Sequence, residues 1–537
     1  MKSKFNKYIA AFLIAGVAGL MASCTEDFES QNTKTNGFTE DLQSYDYMYY
    51  TLPLTIVEQG IYFNYDWGGG KNWPFQTMQN LEADMFSGYF HDMNGSFNSN
   101  NSTYHLNDSW TSSNWTYTYG YVMTAAKNAE RRNADRPEFL GVAKILKVEL
   151  MHRIADIYGP LVYTNYGEST GSEPDDMKTA YYAFFTDLDE ALVAIRSYVA
   201  ANPDKNPFKK SDFLTPNQTY GDWIKFANSL RLRLAIRLSG VDPSKAAEET
   251  KKALSDEGGV LEEPADVIAV NATTSGFSNP LGEINKGWGE VFMNANMESY
   301  LVGYDDPRIS KYYNPAVGGS EGALFDIAGK YKGVRQGTGV THSKYSDHSS
   351  STVVQNTDAI LLTAAEVWFL RAEAALRGYI SGDPGEYYKK GVETSFAQWG
   401  AANVSDYLAS EKVPADYKDA FDKKFDVPAA STVTPKWDNA LSNEQKLEKI
   451  ITQKWLAIYP EGCEAWTEQR RTGYPKLFKV AVNNSGGTID TDIMIRRLFY
   501  PQALISDNPT QYGQLTQALG GPDTGGTRLW WDTGRNF

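Results

Sequence analysis

Two groups of residues in this chain could do chemistry. The first is the run Tyr65-Asp66-Trp67-Gly68-Gly69-Gly70-Lys71-Asn72-Trp73-Pro74. Its glycines and proline prevent regular structure and leave two indoles in an irregular segment. A flat ring stacks on the apolar face of a sugar, while neighbouring Asn, Asp and Lys side chains reach its hydroxyls. Trp67 and Trp73 are thus either a ligand platform or two anchors that hold the segment down. The second group is SNEQKLEKIITQKWLAIYPEGCEAWTEQRRTGYP, Ser442 to Pro475. Its acids, paired arginines and Trp466 could make an active site or a clasp between helices.

The elements around these residues follow from periodicity. Ser442 and Gln445 form a capping box, and Leu447, Ile450, Ile451, Trp455 and Ile458 recur at helical steps. Pro460 stops that helix, and a second one starts around Cys463 and ends at Arg470-Arg471-Thr472-Gly473. Earlier, Asn114 caps a helix through Trp115, Tyr119, Val122 and Ala126. Pro137 opens the next, with Leu140, Ala143, Leu146, Leu150, Ile154 and Ile157 inward. A third stripe runs from Tyr181 to Val199, a fourth helix is capped by Asp222, and a fifth follows Asp242-Pro243. Helix returns at Asp358, with Leu361, Ala364, Ala365, Trp368, Ala372 and Leu376 on one face, and again from Glu386 to Trp399. Consecutive helices on short turns pack as antiparallel pairs. Arg231, Arg233 and Arg237 interleave the fourth helix as salt-bridge partners. Two irregular aromatic regions interrupt the helices, near 57–113 and 257–357. Segments of such length ride on a rigid scaffold and carry function, and the two could face each other across one cleft. No linker-like stretch divides residues 45–537, which read as one domain.

Composition narrows the function. Aromatic residues make up 13% of the chain, with 34 Tyr and 13 Trp, a surplus that fits sugar- or peptide-contacting surfaces or a loop-rich fold stapled by rings. The formal charge is −15, and −15 − 3 = −18 once Lys2, Lys4 and Lys7 are removed with residues 1–23. Such acidity excludes a nucleic-acid binder, which needs cationic patches. Residues 1–23 are a targeting segment: three lysines, an apolar run from Tyr8 to Leu20, then Ala22-Ser23 before Cys24. A cysteine in that place is what bacterial lipoprotein processing modifies, and residues 24–44 follow as a polar, initially acidic tether. Cys463 is the only other cysteine, and its thiol is read as buried packing. No HExxH, P-loop or CxxC occurs, and the five histidines are scattered. Asp305-Asp306 could hold calcium through oxygen ligands, but the EF-hand pattern is missing and a solvated turn explains them better. No catalytic residue, metal site or cofactor is expected.

The lipoprotein cysteine, the helix ending IADIYGPLVY, the stretch LLTAAEVWFLRAEAALRG, the clasp QKWLAIYPEGCEAWTEQRRTGYP, and the late RRLFYP and LWWD resemble the SusD/RagB family in identity and order. The resemblance implies a mainly α fold, a tetratricopeptide-like scaffold of helix pairs with a large loop-rich remainder. It implies a lipid anchor at Cys24 on the outer face of the outer membrane and partnership with a SusC-like TonB-dependent transporter. The ligand would be an oligosaccharide, or a peptide in the RagB branch; a surface glycosidase and a self-assembling surface-layer or pilus component are further alternatives. Aromatic arcs from irregular loops bind sugars in this family. By region and chemistry that points to Trp67, Trp73 and Trp288, with Tyr65, Asp66 and Asn72 beside them. Trp466, Arg470 and Arg471 match positions that are structural in the family.

Overall fold

The structure, a computed structural model, describes residues 47–62, 73–92, 94, 97, 100–167, 172–319, 326–339 and 346–537. Cys24, the targeting segment and the tether lie outside these residues, as do Tyr65, Asp66, Trp67 and Asn72.

Helices dominate. The longer ones are α1 (Met48–Gly60), α2 (Met123–Arg132), α3 (Pro137–Tyr158), α4 (Met177–Ala201), α5 (Tyr220–Arg237) and α6 (Pro243–Ser255). They continue as α7 (Ala295–Gly303), α8 (Ala364–Leu376), α9 (Pro384–Gln398), α10 (Asn443–Ala457), α11 (Gly462–Thr472) and α12 (Pro509–Leu519). Among the described residues four short strands form two antiparallel ribbons: β1 (Phe90–Asp92) pairs with β3 (Val291–Met293), and β2 (Val267–Val270) with β4 (Ala359–Thr363).

The helices pack in chain-order pairs, α2 on α3, α3 on α4, α4 on α5, α5 on α6 and α8 on α9, while α8 also packs on α5 and α10. Side-chain ties give the direction of the α3–α4 pair. Lys144 near the start of α3 meets Asp187 at 2.7 Å, whereas Asp156 near its end accepts from Tyr181 at the start of α4. The pair is therefore antiparallel, as tetratricopeptide-type hairpins are. Gly141 permits the contact, because a Cβ there would stand 2.5 Å from Ile195 Cγ1. Helix α3 is buried on almost every face, and one continuous hydrophobic cluster runs from Leu54 to Trp531.

Local signals explain most boundaries. Both halves of the Ser442/Gln445 capping box form at α10. Gly473 adopts φ +76° at the end of α11, the left-handed cap that glycine tolerates. Two expectations are corrected. Asp222 is not the cap of α5; Thr219 is, and Asp222 is the third residue of a reciprocal capping box. The helix read from Asp358 starts only at Ala364, and Ala359–Thr363 is strand. Thr363 is extended, and its hydroxyl accepts the Glu366 N–H, which fixes the helix start one residue later.

Candidate functional site

The clasp is a clasp. Every residue of α11 is buried. Glu464 accepts from Lys454 at 2.8 Å and pairs with Arg237; Glu468 accepts from Arg471 at 2.8 Å and also pairs with Arg237. Arg471 makes two further bonds to Glu373 at 2.8 and 2.7 Å. Burial alone would raise the Glu464 carboxyl, but the Arg237 guanidinium and the Lys454 ammonium outweigh it and hold it at about 2. These acids are permanently charged and fully paired, so none is available as a proton donor. Arg233 reaches Glu366 through Nε and Nη2 at 2.8 and 2.7 Å, and Arg231 pairs with Glu249 and, at 2.6 Å, with Asp189. The three arginines of α5 are the salt-bridge partners their spacing suggested. Cys463 is buried as expected, and His152 on α3 is too. Asp306 is taken by Arg308 at 2.6 Å and Asp305 by Lys412. Among the described residues no cluster of acids, histidines or cysteines could hold a metal ion.

The aromatic segments behave differently. Phe277, Tyr300, Tyr304, Tyr312 and Tyr313, which looked like loop residues, all turn into the core. Trp73, Tyr121 and Trp288 do not, and keep 40%, 53% and 38% of their surface exposed. Two of them sit at a π-helical turn, Tyr121 within Thr118–Val122 and Trp288 directly after Glu283–Gly287, while Trp73 heads the helical turn that precedes the π-turn Gln76–Asn80. A π-turn inserts one extra residue and rotates the following side chains off the helical stripe, which is why such turns gather at functional sites. At Tyr121 and Trp288 the ring is turned outward while its near neighbours stay anchored. Phe75 stacks on Tyr62 at 4.8 Å in the core, two residues from exposed Trp73. Trp115 and Val122 are buried on either side of Tyr117 and Tyr121.

The rings form a connected surface. Trp73 meets Tyr117 edge-on at 5.7 Å, and Tyr117 meets Tyr121 at 6.2 Å. The two aromatic regions are joined by three ties. β1 pairs with β3, the turn Pro280–Gly282 packs on the turn Trp73–Phe75, and Glu290 accepts from Gln76 at 2.6 Å and from Asn94 at 2.7 Å. Trp288 is held from behind: Glu283 accepts from Gln355 at 2.8 Å, and Asn285 donates to the Ser351 and Val353 carbonyls at 2.9 and 2.7 Å. Of the expected site residues the structure thus brings Trp73 and Trp288 onto adjoining elements. It adds Tyr117 and Tyr121, which were not anticipated. The alternation Tyr117, Tyr119, Tyr121 with Gly120 was the available signal, since a spacing of two does not fit a regular helix.

A family model described as SusD-like, the SusD and RagB outer membrane lipoproteins, matches residues 30–532. The chain belongs to the SusD/RagB family. Solved structures agree. A SusD homologue from Bacteroides vulgatus is 48% identical, with a TM-score of 0.86 over 92% of this chain and 100% of that one. A chitin-binding SusD homologue from Flavobacterium johnsoniae is 36% identical, with a TM-score of 0.83 over 90% and 98%. One from Bacteroides thetaiotaomicron is 30% identical, with a TM-score of 0.80 over 90% and 99%. Nothing matches among curated proteins. SusD/RagB proteins are outer-membrane lipoproteins, and no described helix of this one is long and apolar enough to cross a membrane.

Proposed function

We propose that this SusD-like protein binds an oligosaccharide on the face formed by Trp73, Tyr117, Tyr121 and Trp288, without cleaving it, and delivers it to a SusC-like TonB-dependent transporter. The observation that carries the reading is the ring surface of Trp73, Tyr117 and Tyr121 beside Trp288, with Trp73, Tyr121 and Trp288 exposed and their near neighbours Phe75, Val122 and Asn285 buried. Rigid, pre-positioned rings bind a sugar face with little ordering cost. Tyr65, Asp66, Trp67 and Asn72 precede Trp73 in the chain and are proposed as further ligand contacts by their chemistry. Support for a glycan comes also from the chitin-binding homologue. Processing at Cys24 would leave a lipid-anchored chain on the outer face of the outer membrane, with residues 24–44 as tether and 45–537 as the SusD-like domain.

The test is calorimetry against chitin oligosaccharides, neutral α- and β-glucans and a peptide panel, with chromatography of each mixture after incubation. An oligosaccharide that binds, is recovered intact and loses affinity in Trp73→Ala supports the reading. Binding confined to peptides would place the ligand with the RagB branch, and released products would mean an enzyme.

A further inference from the structure

The helical scaffold holds a cavity built from elements that carry none of these rings. It measures about 480 Å³ and lies between α6, α8, the α8–α9 turn and α9. Its lining has two cations, Lys251 and Arg371, two tyrosines, Tyr379 and Tyr387, two serines, and the apolar Leu254 and Ile380, with no carboxylate. That is unlike the rest of a chain with 66 acids to 51 bases. The Lys251 side chain makes no hydrogen bond or ion pair with a described residue and is exposed. The Arg371 guanidinium lies 4.4 Å over the Trp368 ring, which in turn stacks on Tyr387 at 6.1 Å and 24°. Trp368 is fixed by donating to the Glu262 carbonyl at 2.9 Å. Among the described residues Arg371 has one ion-pair partner, the half-exposed Glu262 carboxylate, and its Nε–H has no hydrogen-bond partner.

A planar guanidinium held over an aromatic ring, a free ammonium and an aromatic wall are the parts of an oxyanion site with room for a ring. Arg suits planar carboxylate and sulfate groups, Lys adds a point charge, and tyrosine faces accept a pyranose. The volume falls in the range of small-molecule sites, about 300–1,000 Å³. We propose that this cavity is a second binding site, for an acidic sugar residue. Its carboxylate or sulfate lies against Lys251 and Arg371, and its ring lies on the tyrosine wall. The sugar body of this ligand rests on the glycan reading above; the anion does not.

The experiment titrates the protein with trigalacturonate, a sulfated trisaccharide, a neutral trisaccharide and inorganic sulfate. Lys251→Ala, Lys251→Glu and Trp73→Ala are compared with the wild type, each checked for an unchanged unfolding temperature. The expected result is that an acidic trisaccharide binds, weakens with added salt, loses about tenfold in Lys251→Ala and more in Lys251→Glu. It is indifferent to Trp73→Ala. No binding by either acidic trisaccharide, or binding indifferent to both Lys251 variants, overturns the site. Sulfate binding as tightly as the acidic sugars overturns the saccharide assignment. If acidic sugars follow Lys251 while no neutral sugar follows Trp73, the aromatic face falls and this site stands.

Discussion

Arg470 donates through Nη1 to the Asp156 carbonyl at 2.6 Å, joining α11 to the end of α3 across 314 residues of chain. The same nitrogen donates to the Arg496 carbonyl at 2.7 Å, and the guanidinium lies 3.7 Å from the Trp466 ring centre. The Asp156 side chain accepts from Trp531 Nε1 at 2.9 Å, and Arg497 donates to the Tyr158 carbonyl at 2.8 Å. IADIYGP, the clasp, RRLFYP and LWWD therefore meet at one place. The motifs that mark the family are the parts that lock the late chain onto the early helices.

Arg470→Met should destabilise the protein by about 3 kcal/mol or more. The substitution leaves two buried carbonyls without their donor and removes a stacked cation. Thermal or denaturant unfolding measures the loss, and the sugar affinity of the remaining folded protein should match the wild type. An unfolding midpoint close to wild type would mean that the clasp does not hold these elements together.

Trp73→Ala and Tyr121→Ala should each weaken oligosaccharide binding by roughly tenfold, the scale of one lost stacking contact. Trp73 and Tyr121 keep 40% and 53% of their surface exposed, so each substitution should cost less stability than the about 3–5 kcal/mol of a fully buried ring. Wild-type affinity in both variants would remove the face as the binding site.

The scaffold was legible in the sequence because its signals are local. The Ser442/Gln445 box, Pro137 at the first turn of α3 and Gly473 after α11 each act within a few residues. The α5 arginines were readable too, since charged residues interleaved in so apolar a helix must be paired when buried. The site was only half legible. Trp73 and Trp288 stood out by composition, but Tyr300, Tyr312 and Tyr313 have the same local context and turn inward, a choice made by packing against Trp455 and Tyr459 from far along the chain. Tyr121 was hidden because a π-turn has no strong sequence signature. The strand at Ala359–Thr363 was hidden because its partner, Val267–Val270, is distant.

Glu290 should matter to binding although it is no ring. Its carboxylate ties Gln76, next to the Trp73 turn, to the segment that follows Trp288. Glu290→Ala frees the Gln76 and Asn94 amides, so amide hydrogen exchange should quicken across residues 76–80 and 284–289, with sugar affinity falling severalfold. Unaltered exchange in both turns would show that they are positioned independently of Glu290.

His91 gives the fold a defined acid response. It lies at the centre of β1 opposite Phe292, 1% exposed, in the ribbon that joins the two aromatic regions. Burial pushes its imidazole down to about 4 from 6.5, against a smaller upward pull from the Asp92 backbone. Between pH 6.5 and 4 the unfolded chain therefore binds a proton that the folded chain refuses. Stability from this residue is complete above pH 6.5 and falls as pH drops toward 4, by about 3 kcal/mol over that window. His91→Leu cannot take up that proton in either state. Denaturant unfolding at pH 7 and pH 4 should show the wild type losing about 3 kcal/mol more than the variant. Equal losses in the two proteins would mean that His91 titrates in the folded state much as it does in the unfolded one, and that the ribbon admits water.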